Sequence, residues 1–149
     1  MAGNAIPQFT KNGVVGSVTV TAANTKSDGA GTIGTDIFLA ATADATNGTF
    51  VEYVRLIPTA TAAGTATTAT VGRIFISQQT SGSTTSSNTF LFAEVSLAAQ
   101  TADSTSTGVT PLDVPMNLRL PAGYTILVTN HATPAANTAW RALVIGGDY

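Results

Sequence analysis

The sequence predicts an all-β chain folded as one antiparallel β-sandwich, on three observations. Apolar and β-branched runs of seven to nine residues recur along the chain, separated by clusters of Gly, Asn, Asp, Ser and Thr. Within these runs residues of opposite character alternate with period two, and no stretch carries the apolar stripe of an amphipathic helix. At 149 residues the chain is the size of one domain, and one core at that size buries roughly 70% of the surface of the unfolded chain.

Eight runs read as strands. The first two are VVGSVTVT (Val14 to Thr21) and TDIFLAAT (Thr35 to Thr42). Asn47-Gly48 then supplies a tight hairpin turn into TFVEYVRLI (Thr49 to Ile57). In TVGRIFISQ (Thr70 to Gln78), Ile74 and Ile76 face one way while Arg73, Phe75 and Ser77 face the other. TFLFAEVSL (Thr89 to Leu97) is the fifth run, and VPMNLRL (Val114 to Leu120) sets Leu118 and Leu120 against Asn117 and Arg119. Pro121-Ala122-Gly123 turns the chain into YTILVTN (Tyr124 to Asn130), and Pro134 lies in the connection to AWRALVI (Ala139 to Ile145). Eight short strands with such turns predict two packed sheets joined by Greek-key connections, an eight-stranded jelly roll. Alanine-rich TAAGTATTAT carries too many threonines and a glycine to hold a helix.

Three segments are poor core material: the arm from Met1 to Asn12, Pro58 to Ala69, and Gln79 to Asn88. The chain therefore divides into an N-terminal arm, 1–12, and one sandwich domain, 13–149. The three segments read either as a frayed terminus and two flexible loops or as surfaces that order against neighbouring subunits. An uncharged Thr/Ala segment loses little side-chain entropy on docking and brings no ion to be desolvated.

Charge narrows the function classes. Only 14 residues are charged, six basic and eight acidic, with a net charge of -2, and 9% charged compares with about 25% in typical soluble domains. Threonine and alanine, 27 and 24 residues, fill the gap. Leu, Ile, Val and Phe number 35 of 149, enough to fold. The six cations, Lys11, Lys26, Arg55, Arg73, Arg119 and Arg141, are scattered, so no basic stripe is expected to meet nucleic acid. No apolar run approaches a bilayer span, and the first residues lack a signal peptide's basic and apolar regions, so neither membrane nor secretion is expected. With no cysteine, disulfides and thiolate zinc sites are excluded.

No motif assembles chemistry. GAGTIG (Gly29 to Gly34) matches the dinucleotide fingerprint, but the following TDIFLAAT reads as a strand and offers no helix N-terminus to a pyrophosphate. His131 is the only histidine and has no nucleophile elbow to serve. Asp28, Asp36 and Asp44 sit in separate settings unlike a calcium loop, and Glu52, Glu94 and Asp113 read as solvated charges rather than a glycosidase pair. Asn47-Gly48-Thr49 has the form of a glycosylation sequon but reads as a turn. No catalytic, cofactor or metal residue is expected. Trp140 reads as a core anchor or an interface hot spot, and alternation places it opposite Leu143 and Ile145, which favours the interface.

The stretch from Ala69 to Tyr149 carries a family resemblance. Its RIFI strand with a Ser/Thr/Asn-rich loop, the segment VPMNLRLPAGY and the terminal GGDY resemble small all-β virion proteins of tailed bacteriophages, of the capsid decoration or cement type. The resemblance implies a non-enzymatic structural protein on the outer surface of a phage head, made in the host cytoplasm, with the major capsid protein and further copies of itself, as a homotrimer, for partners. Low charge suits such packing, and many weak contacts add up on a lattice. Candidate interface residues are Ile6, Pro7 and Phe9 in the arm, Pro58, Thr59, Thr61, Thr65 and Thr67 in the second segment, and Trp140. The competing reading is a tail or fibre module that binds a host surface glycan. A hydrolase would need a carboxylate pair or triad that the sequence does not assemble.

Overall fold

The structure is a computed structural model that describes residues 10–103 and 108–149. Among them no helix forms, so none is long and apolar enough to cross a membrane. Ten strands do form: β1 (Asn12–Val20), β2 (Gly31–Thr32), β3 (Phe38–Thr42), β4 (Thr49–Ala60), β5 (Thr70–Ser77), β6 (Ser83–Thr84), β7 (Thr89–Leu97), β8 (Leu112–Leu120), β9 (Thr125–Asn130) and β10 (Thr138–Asp148). The eight long strands coincide with the eight runs in the sequence, and β2 and β6 lie in segments that read as connections.

Two four-stranded antiparallel sheets make the sandwich. One runs β1-β10-β4-β8 and the other β3-β9-β5-β7; they are called here the β10 sheet and the β9 sheet. Of the connections between successive long strands, only β5 to β7 stays within one sheet. Every other connection crosses the core, which corrects the hairpin expected at Asn47-Gly48: that turn carries the chain from β3 in one sheet to β4 in the other. The turn itself is well made. Asp44 Oδ1 accepts the N–H groups of Thr46 and Asn47 at 3.0 and 2.7 Å, and Gly48 adopts φ 77° where a Cβ would strike the Leu120 carbonyl oxygen at 2.3 Å.

The core follows the alternation of each strand. Trp140, Ala142 and Val144 from β10 meet Val51, Val54 and Leu56 from β4, with Val114, Met116 and Leu120 from β8 beside them. From the β9 sheet come Phe38 and Ala40, Ile74, and Ile126 and Val128. Each large aliphatic side chain buried here contributes about 1.5–3 kcal/mol. Along one flank the sheets nearly touch: a Cβ at Gly16 of β1 would lie 2.3 Å from the Ala40 carbonyl oxygen of β3, so only glycine permits that approach.

A second, smaller cluster lies outside the β9 sheet. Ile37, Phe75 and Leu127 are fully buried there, with Ile33 and Leu39 packed against them. This is why β9 is buried along its whole length and Phe75 is as buried as Ile74, although they point to opposite faces. The cover is the segment from Ala22 to Asp36 together with 79–88, tied by β2 pairing with β6 and by the Ile33 N–H on the Gly82 carbonyl. Asn24 pins it to the sheet through its N–H on the Asn130 carbonyl at 2.7 Å. Arg73, only 6% exposed, donates Nε to Glu94 Oε2 at 2.6 Å and Nη1 to the Asn24 carbonyl at 3.2 Å. Gln79 to Asn88 therefore orders against its own sheet, in place of the flexible loop or docking segment that its composition predicts.

Candidate interaction surface

Among the described residues, the outer face of the β10 sheet has no such cover. Pairing registers set Val15 of β1 beside Ile145 of β10, Ile145 beside Tyr53 of β4, and Tyr53 beside Pro115 of β8. Paired residues share a face, so these four form an uncharged apolar row across all four strands. Val15 is 69% exposed, the most exposed large hydrophobic residue described. The next row reads Ser17, Leu143, Arg55 and Asp113. Its charges are neutralised within the chain, because Arg55 grips Asp113 with Nε and Nη2 at 2.6 and 2.7 Å. That bidentate bond holds the Asp113 carboxyl below its usual value and raises the already high Arg55 value. The Arg55 guanidinium also lies 5.4 Å over the Tyr53 ring.

Beyond these rows, toward the Val20 end of β1, Thr19, Thr21, Thr59, Thr61, Asn137 and Arg141 line a shallow groove of about 420 Å³. Two of the expected interface residues, Thr59 and Thr61, meet here. Thr59 nevertheless belongs to β4, its Oγ1 donating to the Ala139 carbonyl, and Thr61 N–H bonds the Asn137 carbonyl. Pro58 is also in β4, buried opposite Trp140, because the strand runs three residues past Ile57. Thr67 is 3% exposed and locked to Gln100, donating N–H and Oγ1 to its carbonyl and accepting its N–H. Thr65 is half-buried. Ile6, Pro7 and Phe9 lie outside the described residues.

Trp140 needs correction as an exposed contact. It does stand opposite Leu143 and Ile145, but the core is on its side: Trp140 is 2% exposed, and Leu143 and Ile145 are the outward pair. It forms part of the wall of a cleft of about 380 Å³ with Leu97, Gln100, Pro111 and Leu112. The residues of the apolar row went unnoticed in sequence. Val15 was a usable signal, since it falls on the same face as Ser17 and Thr19 and breaks their polar pattern.

A second exposed feature is the free edge of the β9 sheet. Phe90, Leu91 and Phe92 of β7 are 47%, 43% and 37% exposed; Phe90 pairs with Ile76 on the core side and Leu91 with Phe75 on the outer side, and the register shift between Ile74 and Phe75 leaves Phe92 without an opposite number. The facing edge, β8, carries Pro115 and the positive-φ Asn117.

The candidate chemical groups stay apart. Glu94 is bound to Arg73, whose Nη2 lies 3.3 Å from His131 Nδ1. Asp113 is held by Arg55, and Glu52 is exposed on β4. The segment Gly29 to Gly34 leads into β3 and opens no helix. Among the described residues no group of three or more His, Cys, Asp or Glu side chains is placed to hold a metal.

Comparison with protein-family models and with curated proteins gives no match. Among solved structures, a chain of the cyanophage Pam1 capsid asymmetric unit is similar over 99% of this chain and 94% of its own, at 19% identity and a TM-score of 0.40.

Proposed function

We propose that the protein is a non-enzymatic structural protein of a phage virion, a jelly-roll cement protein that sits on the outer surface of the head and bridges neighbouring capsomers. The strand orders β1-β10-β4-β8 and β3-β9-β5-β7 support the jelly-roll reading: counting only long strands, they interleave first, eighth, third, sixth against second, seventh, fourth, fifth. The observation that carries the functional reading is the unequal treatment of the two outer faces. Among the described residues, the chain covers one with its own connections and leaves the other bare, with an uncharged apolar row across it. Its partners are the major capsid protein and two further copies of the chain in a homotrimer around a symmetry axis.

Bridging contacts of this kind need not be strong singly, because each copy is held at several points and the lattice multiplies the gain. The bare face suits them, since Arg55 and Asp113 enter any contact already paired. The direct test adds the purified protein to undecorated phage heads and measures bound copies by co-sedimentation and the temperature at which heads release DNA. Saturable binding with a raised release temperature is the expected result. No binding to heads, with binding to a host surface polysaccharide instead, contradicts it in favour of a tail or fibre module.

A further inference from the structure

We infer that the groove around Arg141 binds a carboxylate, and that in the assembly this carboxylate is an aspartate or glutamate side chain of the shell protein. The second half rests on the cement reading above. The first half stands on the groove itself.

The chain treats its four arginines unequally. Arg55 is held by Asp113, Arg73 by Glu94, and Arg119 donates to the Asn47 carbonyl and lies 4.6 Å over the Tyr149 ring. Arg141 is exposed on β10 and makes no hydrogen bond or ion pair with any described residue. Every aspartate and glutamate of the sequence lies among the described residues, so the rest of the chain holds no carboxylate side chain to pair with it.

Pairing register shows why the chain leaves this charge open. Arg141 sits between Thr19 of β1 and Ile57 of β4, one row beyond Arg55 and Asp113, which makes Arg55 its diagonal neighbour at about 7–8 Å. Both oxygens of Asp113 are taken by Arg55. Glu52, the other acidic residue of β4, lies five positions from Ile57, about 17 Å along the strand. This part of the face is therefore one carboxylate short.

The groove supplies donors to match. The hydroxyls of Thr19 and Thr21 and the side-chain amide of Asn137 bond to no described residue, while Thr59 and Thr61 already donate to the Ala139 and Asn137 carbonyls. A guanidinium flanked by hydroxyl and amide donors suits a carboxylate, whose two oxygens accept in parallel. A phosphate, with a charge of about -1.5 to -2, would call for a second open cation, and Arg55 is committed. A sugar ring would find no aromatic side chain among the described residues that line the groove.

Continuity with the apolar row points to the source. Ile145 and Arg141 are on the same face of β10, four positions apart, about 13 Å, so a shell protein that covers the Val15 row also covers Arg141. Arg55 enters that contact paired; Arg141 does not. Burying an unpaired guanidinium is costly, and a carboxylate on the shell removes that cost.

Two measurements on the full-length protein test the two halves separately. In nitrogen-15-labelled protein titrated with acetate at constant ionic strength, the Arg141 Nε–H resonance should move further than those of Arg55 and Arg119, and the amides of Thr59 and Asn137 should respond in wild type but not in Arg141→Gln. An Arg141 resonance that moves no further than that of Arg119, or that methyl phosphate shifts at lower concentration than acetate, overturns the carboxylate site. Undecorated heads are then titrated with wild type, Arg141→Gln and Arg141→Lys. Arg141→Gln should bind about 10- to 100-fold more weakly with an unchanged melting temperature, and Arg141→Lys should recover part of the loss. With a carbodiimide added, the amine introduced by Arg141→Lys should form an amide with an aspartate or glutamate of the shell protein, located by mass spectrometry. Equal binding of wild type and Arg141→Gln, or an adduct at position 141 only to a second copy of this chain, refutes the shell contact and leaves the cement reading standing. Wild type that does not bind heads refutes the cement reading and the shell contact with it, and the acetate titration then decides the groove.

Discussion

The two outer faces of the sandwich are built from similar strands and meet different fates. On the β9 sheet, Phe75 and Leu127 point away from the main core and are nonetheless fully buried, because the chain folds back through β2 and β6 and supplies Ile33 and Ile37 as a lid. On the β10 sheet, Val15, Ile145, Tyr53 and Pro115 point outward in the same way and receive no such lid from the described residues. The difference teaches that outward apolar residues have two meanings in one fold. Where the chain covers them they are a second core; where the described residues leave them open they form an apolar surface.

Substitutions can break this contrast. The largest effect is expected on the covered face: Leu127→Ala should cost about 2–5 kcal/mol, as a cavity in a core does, measured by urea unfolding. Ile145→Ala, the matching truncation on the bare face, should cost about 1 kcal/mol or less. Equal losses at the two positions would erase the distinction between second core and open face.

A smaller effect is expected at the pin that holds the cover. Arg73→Met removes the bonds to Glu94 and to the Asn24 carbonyl, and hydrogen bonds to charged groups are worth about 1.5–3 kcal/mol each. Glu94 is half-exposed, which brings the expected loss to the lower end of that range. Amide hydrogen exchange should accelerate across 22–37 while β10 and β4 keep their protection. Uniform acceleration in both sheets would show that the cover is no separate unit.

The smallest effect is expected with pH. Asp44 is held below the usual carboxylate value chiefly by the N–H groups of Asn47 and Thr46, and Asp113 by its hydrogen bonds from Arg55. Both folded values lie below the unfolded ones, so the stability these groups contribute is present above about pH 4 and is lost as pH falls through the folded values. The melting temperature should therefore stay level from pH 7 to about 5 and decline below about 4, less steeply in the Asp44→Asn, Asp113→Asn double variant. An unchanged slope in that variant would assign the acid sensitivity to other groups.

Most of the fold was legible in sequence because period-two alternation and turn residues are local signals. All eight long strands could be found from runs such as TFVEYVRLI and TFLFAEVSL. What local signals cannot carry is the side of a sheet on which the core lies. Trp140, read as a core anchor or an interface residue, is the core anchor: alternation sets it opposite Ile145 but fixes only relative facing, and packing alone fixes which face is buried. The same limit hid the second core: Phe75 and Ile74 look like the two faces of a half-buried strand until β2 and β6 are seen to cover one of them. Thr67 read as surface because a threonine that satisfies its own hydrogen bonds, here on Gln100, can be buried without leaving an apolar trace in the sequence. The open face of the β10 sheet was legible only at its margin, where Thr59 and Thr61 line the groove; at its centre four residues from four strands meet only through pairing register.

The central claim is that the bare face of the β10 sheet meets the phage shell. A cryo-EM reconstruction of heads decorated with this protein tests it most directly. The predicted result places Val15, Ile145, Tyr53 and Pro115 against the shell, with β2 and β6 turned to solvent. A map with β2 and β6 against the shell and the Val15 row open to solvent would contradict it.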